Sequence, residues 1–227
     1  MTPNQITVLR VLAAFAAVAL FGRGAGANMA AVALTVTAIV LDAVDGWVAR
    51  RKNLSTPLGA QLDILGDRVI ENLYFTYFAV CALIPMWVPV LFFVRGTATD
   101  FVRGIAARQG RSGFGRSSML ETRWAQALVA SRASRAAYGV MKCVCFCAVG
   151  LQLAVASADA ATLALLGESL RKMIATGAQA MVWLTVAFCV VRGLPVLWEG
   201  RRYVAALGAQ MPQPARRAVA LPRRTAA

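Results

Sequence analysis

The sequence predicts an all-α, integral membrane bundle of six transmembrane helices with both termini in the cytoplasm. Three observations predict it. Apolar runs of about 17–25 residues, long enough to cross a bilayer as helices, recur along the chain. The composition matches them: 59% of the residues are hydrophobic and the mean hydropathy is +0.63. Arginines, finally, collect in alternate connections between the runs. A soluble domain of 227 residues would carry shorter apolar stretches and more charge.

The first run, Ile6 to Phe21, follows Thr2-Pro3, which reads as an N-cap with proline at the first helical position. Arg10, an apolar core and Gly24-Ala25-Gly26-Ala27 also resemble a secretory signal with its cleavage site. The polytopic continuation of the chain argues against that reading. Five further runs follow: Met29 to Ala49, Ile64 to Ile84, Met86 to Ile105, Ala136 to Ala156 and Ile174 to Leu197. Six spans place both termini on one side, and loop charge predicts which. Arg50, Arg51 and Lys52 lie in the second connection. Arg108, Arg111, Arg116, Arg123, Arg132 and Arg135 lie in the fourth, against the single acid Glu121. Arg201, Arg202, Arg216, Arg217, Arg223 and Arg224 follow the last span. The opposite side has Arg23, Asp159, Glu168, Arg171 and Lys172. The positive-inside bias puts the termini and the basic connections in the cytoplasm, as expected for a bacterial inner (plasma) membrane protein whose active site faces the cytoplasm. Residues 1–200 form the predicted membrane domain, and 201–227 a basic, Pro/Ala-rich tail expected to be disordered on anionic headgroups.

The net charge of +14 belongs to this topology and not to nucleic acid, because the arginines flank apolar segments instead of interleaving with aromatics on a polar domain. Cys143, Cys145 and Cys147 step by two residues, about 200° each, so they read with Cys81 and Cys189 as small buried hydrophobes. The chain has no histidine. Its absence removes the commonest transition-metal ligand and general base, leaving carboxylates as the chemical resource.

Four of the 10 acidic residues, Asp42, Asp45, Asp63 and Asp67, fall within one short stretch. At about 100° per residue, Asp42, Asp45, Gly46, Ala49 and Arg50 share one helical stripe. Asp63 and Asp67, four apart, stack on the next helix, with Gly59 one turn earlier. The link from Arg51 to Leu58 contains Asn53, Ser55, Thr56 and Pro57 and reads as a loop. Two helices joined this way bring the carboxylate faces together at the membrane boundary. Four carboxylates there repel one another unless divalent cations neutralise them, and an all-oxygen ligand set favours Mg²⁺, Mn²⁺ or Ca²⁺. Two such ions could polarise a phosphate and activate a hydroxyl. Gly46 and Gly59 permit close approach of a nucleotide, and the Arg50 fork suits a phosphate. The plainer reading, interfacial salt bridges to Arg50, Arg51, Lys52 and Arg68, leaves the two matched rows and the glycines unexplained.

The pattern Asp42-x-x-Asp45-Gly46-x-x-Ala49-Arg50, eight residues, then Gly59-x-x-x-Asp63-x-x-x-Asp67 resembles the signature of the CDP-alcohol phosphotransferase (CDP-alcohol phosphatidyltransferase) family, class I, at every position. Pro3-Asn4-x-Ile6-Thr7-x-x-Arg10 is similar to the start of many members, and the likeness covers the chain to about Leu197. The resemblance implies transfer of a phosphatidyl group from a CDP-diacylglycerol-type lipid donor to an acceptor hydroxyl, releasing CMP, in phospholipid biosynthesis. It implies Asp42, Asp45, Asp63 and Asp67 as ligands of two Mg²⁺ or Mn²⁺ ions and Asp67 as catalytic base. It also implies Gly46, Ala49, Arg50 and Gly59 at the CDP, and a homodimer among membrane lipids.

The acceptor, a small polar or phosphate-bearing alcohol, stays open. Arg95, Asp100 and Arg103 recur along the fourth run, and intramembrane charge faces a cavity by default. Arg132 and Arg135 precede the fifth, with Lys142 two turns beyond Arg135. A phosphate pocket would use Arg95, Arg103, Arg132 and Arg135. Against this stand an ion pair with Asp100 for Arg95 and Arg103, and topogenic anchoring for Arg132 and Arg135. Members resembling phosphatidylglycerophosphate synthases usually have Asp-Lys where this chain has Asp67-Arg68, and Arg-Glu where it has Arg95-Gly96. Arg132-x-x-Arg135 is nearer the basic pair of inositol-phosphate users. Glycerol 3-phosphate, an inositol phosphate, serine or another headgroup would fit. The competing classes are a membrane cation-binding or transport protein and a catalytically inactive family member.

Overall fold

A computed structural model describes residues 3–51, 56–112 and 118–210, with backbone only at 3, 42–51, 57, 60, 132, 209 and 210. Thr2 and residues 211–227 of the expected tail lie outside it. The described residues are all-helical, with no strand. The helices are α1 (Pro3–Leu20), α2 (Ala25–Arg51), α3 (Pro57–Val80), α4 (Trp87–Arg108), the single turn α5 (Arg123–Ala125), α6 (Arg132–Ala156) and α7 (Ala160–Gln210). A π-helical turn, Gln126–Ala130, joins α5 to α6. Each predicted apolar run overlaps one of the six long helices. By length and apolarity, 133–156 and 160–208 are sufficient to cross a membrane, whereas 4–20 and 25–41 are shorter apolar segments.

The starts and stops have local causes. Pro57 and Leu58, expected in the loop, open α3 instead. Thr56 has extended backbone and its hydroxyl accepts the Gly59 N–H at 3.0 Å, while Pro57 needs no donor partner there. The far end of α3 closes on Ala82 at φ 56, with Leu83 N–H donating to Phe78 C=O at 3.0 Å. The end of α4 closes the same way through Gly110 at φ 75, where Arg111 N–H donates to Ala106 C=O; this is the helix stop that normally selects glycine. α6 begins four residues before its predicted span, at Arg132. Ser131 supplies its N-cap by accepting Ser134 N–H at 3.2 Å. The stretch before Ile174, read as a connection, is mostly helix: α7 starts at Ala160, breaks at Gly167 (φ 68, ψ 158), and continues past residue 200 and through Pro195 to Gln210.

Side-chain contacts order the bundle end to end. Asn28 accepts Gly22 N–H at 2.7 Å and donates to Leu153 C=O and to the Ser157 hydroxyl. It thereby ties the α1–α2 turn to the end of α6. At the opposite end Tyr203 OH and Arg202 donate to Met119 C=O. Gln109 donates to Tyr203 C=O, and Glu199 accepts Glu121 N–H and the Thr122 hydroxyl. Here α7 closes over the α4–α5 connection so tightly that a Cβ on Gly200 would lie 2.1 Å from Val102 Cγ1. The main core is aromatic: Phe75 stacks on Phe92 at 4.1 Å, Tyr74 on Phe146 at 4.7 Å, and Phe21 packs against Tyr74 and Phe78. Large apolar side chains also point outward along the long helices, among them Leu12, Phe15, Phe93, Val94, Leu184 and Leu194.

Candidate active site

Helix α3 carries Asp63, Asp67, Arg68 and Glu71 on successive turns near its N-terminal end. The predicted stacking of Asp63 and Asp67 is present, and one cation spans both: Arg10 of α1 donates from Nη2 to Asp63 Oδ1 at 3.0 Å and from Nη1 to Asp67 Oδ1 at 3.1 Å. The Arg10 side chain is 3% exposed, and the two carboxylates are half exposed. The backbone of α2 continues helical through Asp42, Asp45, Gly46, Ala49 and Arg50, whose side chains lie outside the described residues. Gly59 sits in the first turn of α3, where a Cβ would meet Asn4 Oδ1 and Thr56 Oγ1, each at 3.1 Å. Its lack of a side chain thus already serves the contact between α1 and α3.

A buried charge network extends inward from these residues. Glu71, 2% exposed, accepts Lys142 Nζ at 2.8 Å and lies 3.5 Å from Arg68 Nη1. Arg68 also donates to Asp100 through Nε at 2.8 Å and Nη2 at 3.2 Å. Arg103 approaches the same carboxylate at 3.5 Å. Asp100 is therefore held chiefly by Arg68 and only secondarily by Arg103, while Arg95 lies over the Tyr138 ring at 5.7 Å. Lys142 and Arg192 share that ring, at 4.9 and 5.3 Å, in contacts that stabilise cations where water is excluded.

Two glycines make the network possible. Arg68 crosses α4 at Gly96, where a Cβ would be 3.2 Å from its Cζ, and Arg95 crosses α7 at Gly193, where a Cβ would be 2.9 Å from its Nε. This accounts for the departures noted at these positions: an arginine at 68 passes over a glycine at 96 to a carboxylate one turn further on.

Of the remaining candidates, Arg135 is exposed in the first turn of α6, and the Arg132 side chain lies outside the described residues. Arg192 was absent from the sequence reading. It donates to the C=O groups of Leu128 (2.6 Å) and Val129 (3.1 Å) and contacts the Ser134 hydroxyl. It satisfies carbonyls exposed where the π turn ends, and so fixes the start of α6 that carries Arg132 and Arg135. Glu71 was also missed. Arg192 is the lone charge of its apolar run, the signal that could have flagged it, whereas Glu71 shares its run with Asp67 and Arg68.

A cavity of about 90 Å³ opens beside Asp67, between α2, α3 and α6. Arg10, Asp67, Glu71 and Lys142 supply its polar groups, and Ala38, Ile39, Ile70 and Phe146 part of its apolar wall. Asp63 and Asp67 offer oxygen donors, the kind a hard cation takes, and share the cationic group of Arg10; among the described residues no three carboxylate or thiol side chains gather as a metal-binding group.

Among the described residues the helices stack Asp63 over Asp67 beside a buried network of acidic and basic side chains, and the family match gives the class, a transferase. The chain belongs to the CDP-alcohol phosphatidyltransferase family, whose model matches residues 1–191, in agreement with the resemblance in its motif; the family is membrane-associated. It is also similar to the probable phosphatidylglycerophosphate synthases of Mycobacterium tuberculosis strains CDC 1551 / Oshkosh and ATCC 25618 / H37Rv. To each it is 30% identical over 111 residues, covering 47% of this chain and 53% of the relative. The chain thus spans about half the length of the curated relatives it matches.

Proposed function

We propose that this protein is an integral membrane phosphatidyltransferase that moves a phosphatidyl group from CDP-diacylglycerol to the hydroxyl of a phosphate-bearing alcohol. The observation that carries the reading is the complete acidic signature, Asp42 to Asp67, inside the family match, with Asp67 on the wall of a partly open cavity. Glycerol 3-phosphate is the first acceptor to consider, because the relatives are named for phosphatidylglycerophosphate synthesis. An inositol phosphate is the second, on the strength of Arg132 and Arg135.

Asp67 accepts the proton of the acceptor hydroxyl. The freed oxygen forms a bond to the phosphorus next to the diacylglycerol, and the bond to CMP breaks, CMP leaving with the electron pair. Asp42, Asp45, Asp63 and Asp67 would hold Mg²⁺ or Mn²⁺, which supplies charge stabilisation for the transferring phosphoryl group. Gly46, Ala49, Arg50 and Gly59 line the CDP. Arg95, Arg103, Arg132 and Arg135 receive the acceptor's phosphate, with Arg192 holding the start of α6. The outward apolar side chains and the loop charges support six membrane spans with termini and site in the cytoplasm, and the apolar faces accommodate a second copy as a homodimer.

The test is reconstitution in liposomes with CDP-diacylglycerol and Mg²⁺ or Mn²⁺, measuring CMP release with glycerol 3-phosphate, inositol phosphate and serine in turn. Asp67→Asn should lower turnover about 100-fold or more, the scale of a lost general base, with helicity retained. Absence of CMP release with every acceptor from folded protein, or full activity in Asp67→Asn, defeats the reading.

A further inference from the structure

Arg10 lies almost wholly inside the bundle, yet both ends of its guanidinium fork reach half-exposed carboxylates on another helix. Two parallel charge-assisted bonds of this kind fix direction as well as charge. Space for the fork is built in: Gly66, buried between Asp63 and Asp67 on α3, would place a Cβ 3.0 Å from Arg10 Nη2. Arg10 also lines the 90 Å³ cavity. One turn further along α3 in the same cavity, Glu71 Oε1 is buried without a hydrogen-bond partner among the described residues. The guanidinium therefore has both a seat on the two aspartates and a neighbouring acceptor towards which it could withdraw.

We propose that Arg10 is a resident counter-cation of the acidic site. It holds Asp63 and Asp67 in register and competes for them with an incoming divalent cation, so the site binds metal more weakly than its carboxylates alone would. This rests on the reading of Asp63 and Asp67 as metal ligands. Without a cation, two carboxylates one turn apart repel each other; the Arg10 charge offsets that repulsion. The same charge, a few ångströms from a divalent ion, opposes its entry. The coupling is reciprocal: the metal weakens the hold of Arg10 on the two aspartates by the same factor as Arg10 weakens the binding of the metal.

The experiment is a Mn²⁺ titration of the purified, metal-free full chain in detergent without substrates, following loss of the free-ion signal by electron paramagnetic resonance. Arg10→Gln, which removes the charge, should tighten Mn²⁺ binding about tenfold or more, within the usual span of such couplings. Gly66→Ala keeps the arginine but displaces its tip, and should tighten binding by a smaller factor. Arg10→Lys, with charge but no fork, should fall between wild type and Arg10→Gln. Unchanged or weaker Mn²⁺ affinity in Arg10→Gln and Gly66→Ala, with both folded, overturns the proposal and leaves Arg10 as a tie between α1 and α3. If Arg10→Gln does not fold, Gly66→Ala and Arg10→Lys decide on the same criterion. Wild-type protein that takes up no Mn²⁺, or an Asp63→Asn variant that binds it as wild type does, overturns the ligand assignment itself and this inference with it.

Discussion

The two halves of α3 are built on opposite principles. From Tyr74 to Phe78 the helix buries aromatic rings against α1, α4 and α6, with one hydrogen bond, 2.7 Å between Tyr74 OH and the Thr35 hydroxyl of α2, added to the ring contacts. From Asp63 to Glu71 it buries or half-buries charge, and every described charge is answered from a different helix: Arg10 from α1, Asp100 from α4, Lys142 from α6. Packing is tolerant, because neighbouring rings can adjust to a small change. A buried ion pair is not, since removing one member strands the other in a medium that cannot solvate it. The comparison therefore sets adjustable ring packing in one half against exacting charge pairing in the other.

The sharpest way to break this contrast is at Lys142. Lys142→Met leaves Glu71 only its longer contact with Arg68, at 3.5 Å, and should destabilise the detergent-solubilised protein by about 3–5 kcal/mol, read as the midpoint of thermal or denaturant unfolding. The double change Lys142→Met with Glu71→Leu should recover most of that loss; no recovery would mean that shape rather than charge holds this half. In the aromatic half, Phe75→Ala should cost about 3 kcal/mol or somewhat more, and a second cavity at Phe92 should add less than its own single effect because the rings touch. The smallest expected effect is at Gly150, where a Cβ would lie 2.9 Å from Phe21 Cζ and from Val32 Cγ2. Gly150→Ala should destabilise by about 1–3 kcal/mol through overpacking, with turnover per folded molecule unchanged; a fall in turnover would show that the two halves are coupled.

Helix type, the six long segments and the stacking of Asp63 with Asp67 were legible because each depends on a local period: four residues between Asp63 and Asp67 place them on one face of any α-helix. The errors fell where a local pattern is weak. Pro57 and Leu58 looked like loop until Thr56 proved to be a cap. The residues before Ile174 lay outside the apolar run and were read as a connection, although Glu168 and Lys172 form an i,i+4 pair there. The Ser131 cap and the π turn before it moved the start of α6.

By itself the sequence determined the helical class of the protein, the spacing of its acidic stretch and the family to which that stretch belongs. Only the tertiary structure decided which charge answers which: that Arg10, noted first as part of a signal-like segment, spans Asp63 and Asp67, that Asp100 belongs to Arg68 before Arg103, and that Glu71 and Lys142 are a pair 71 residues apart. The reason is physical. The spacing of side chains along one helix follows from its pitch, but the partner of a charge depends on the register between helices. That register is set by where glycines such as Gly66 and Gly96 let an arginine cross, and no window along the chain contains both sides of such a crossing.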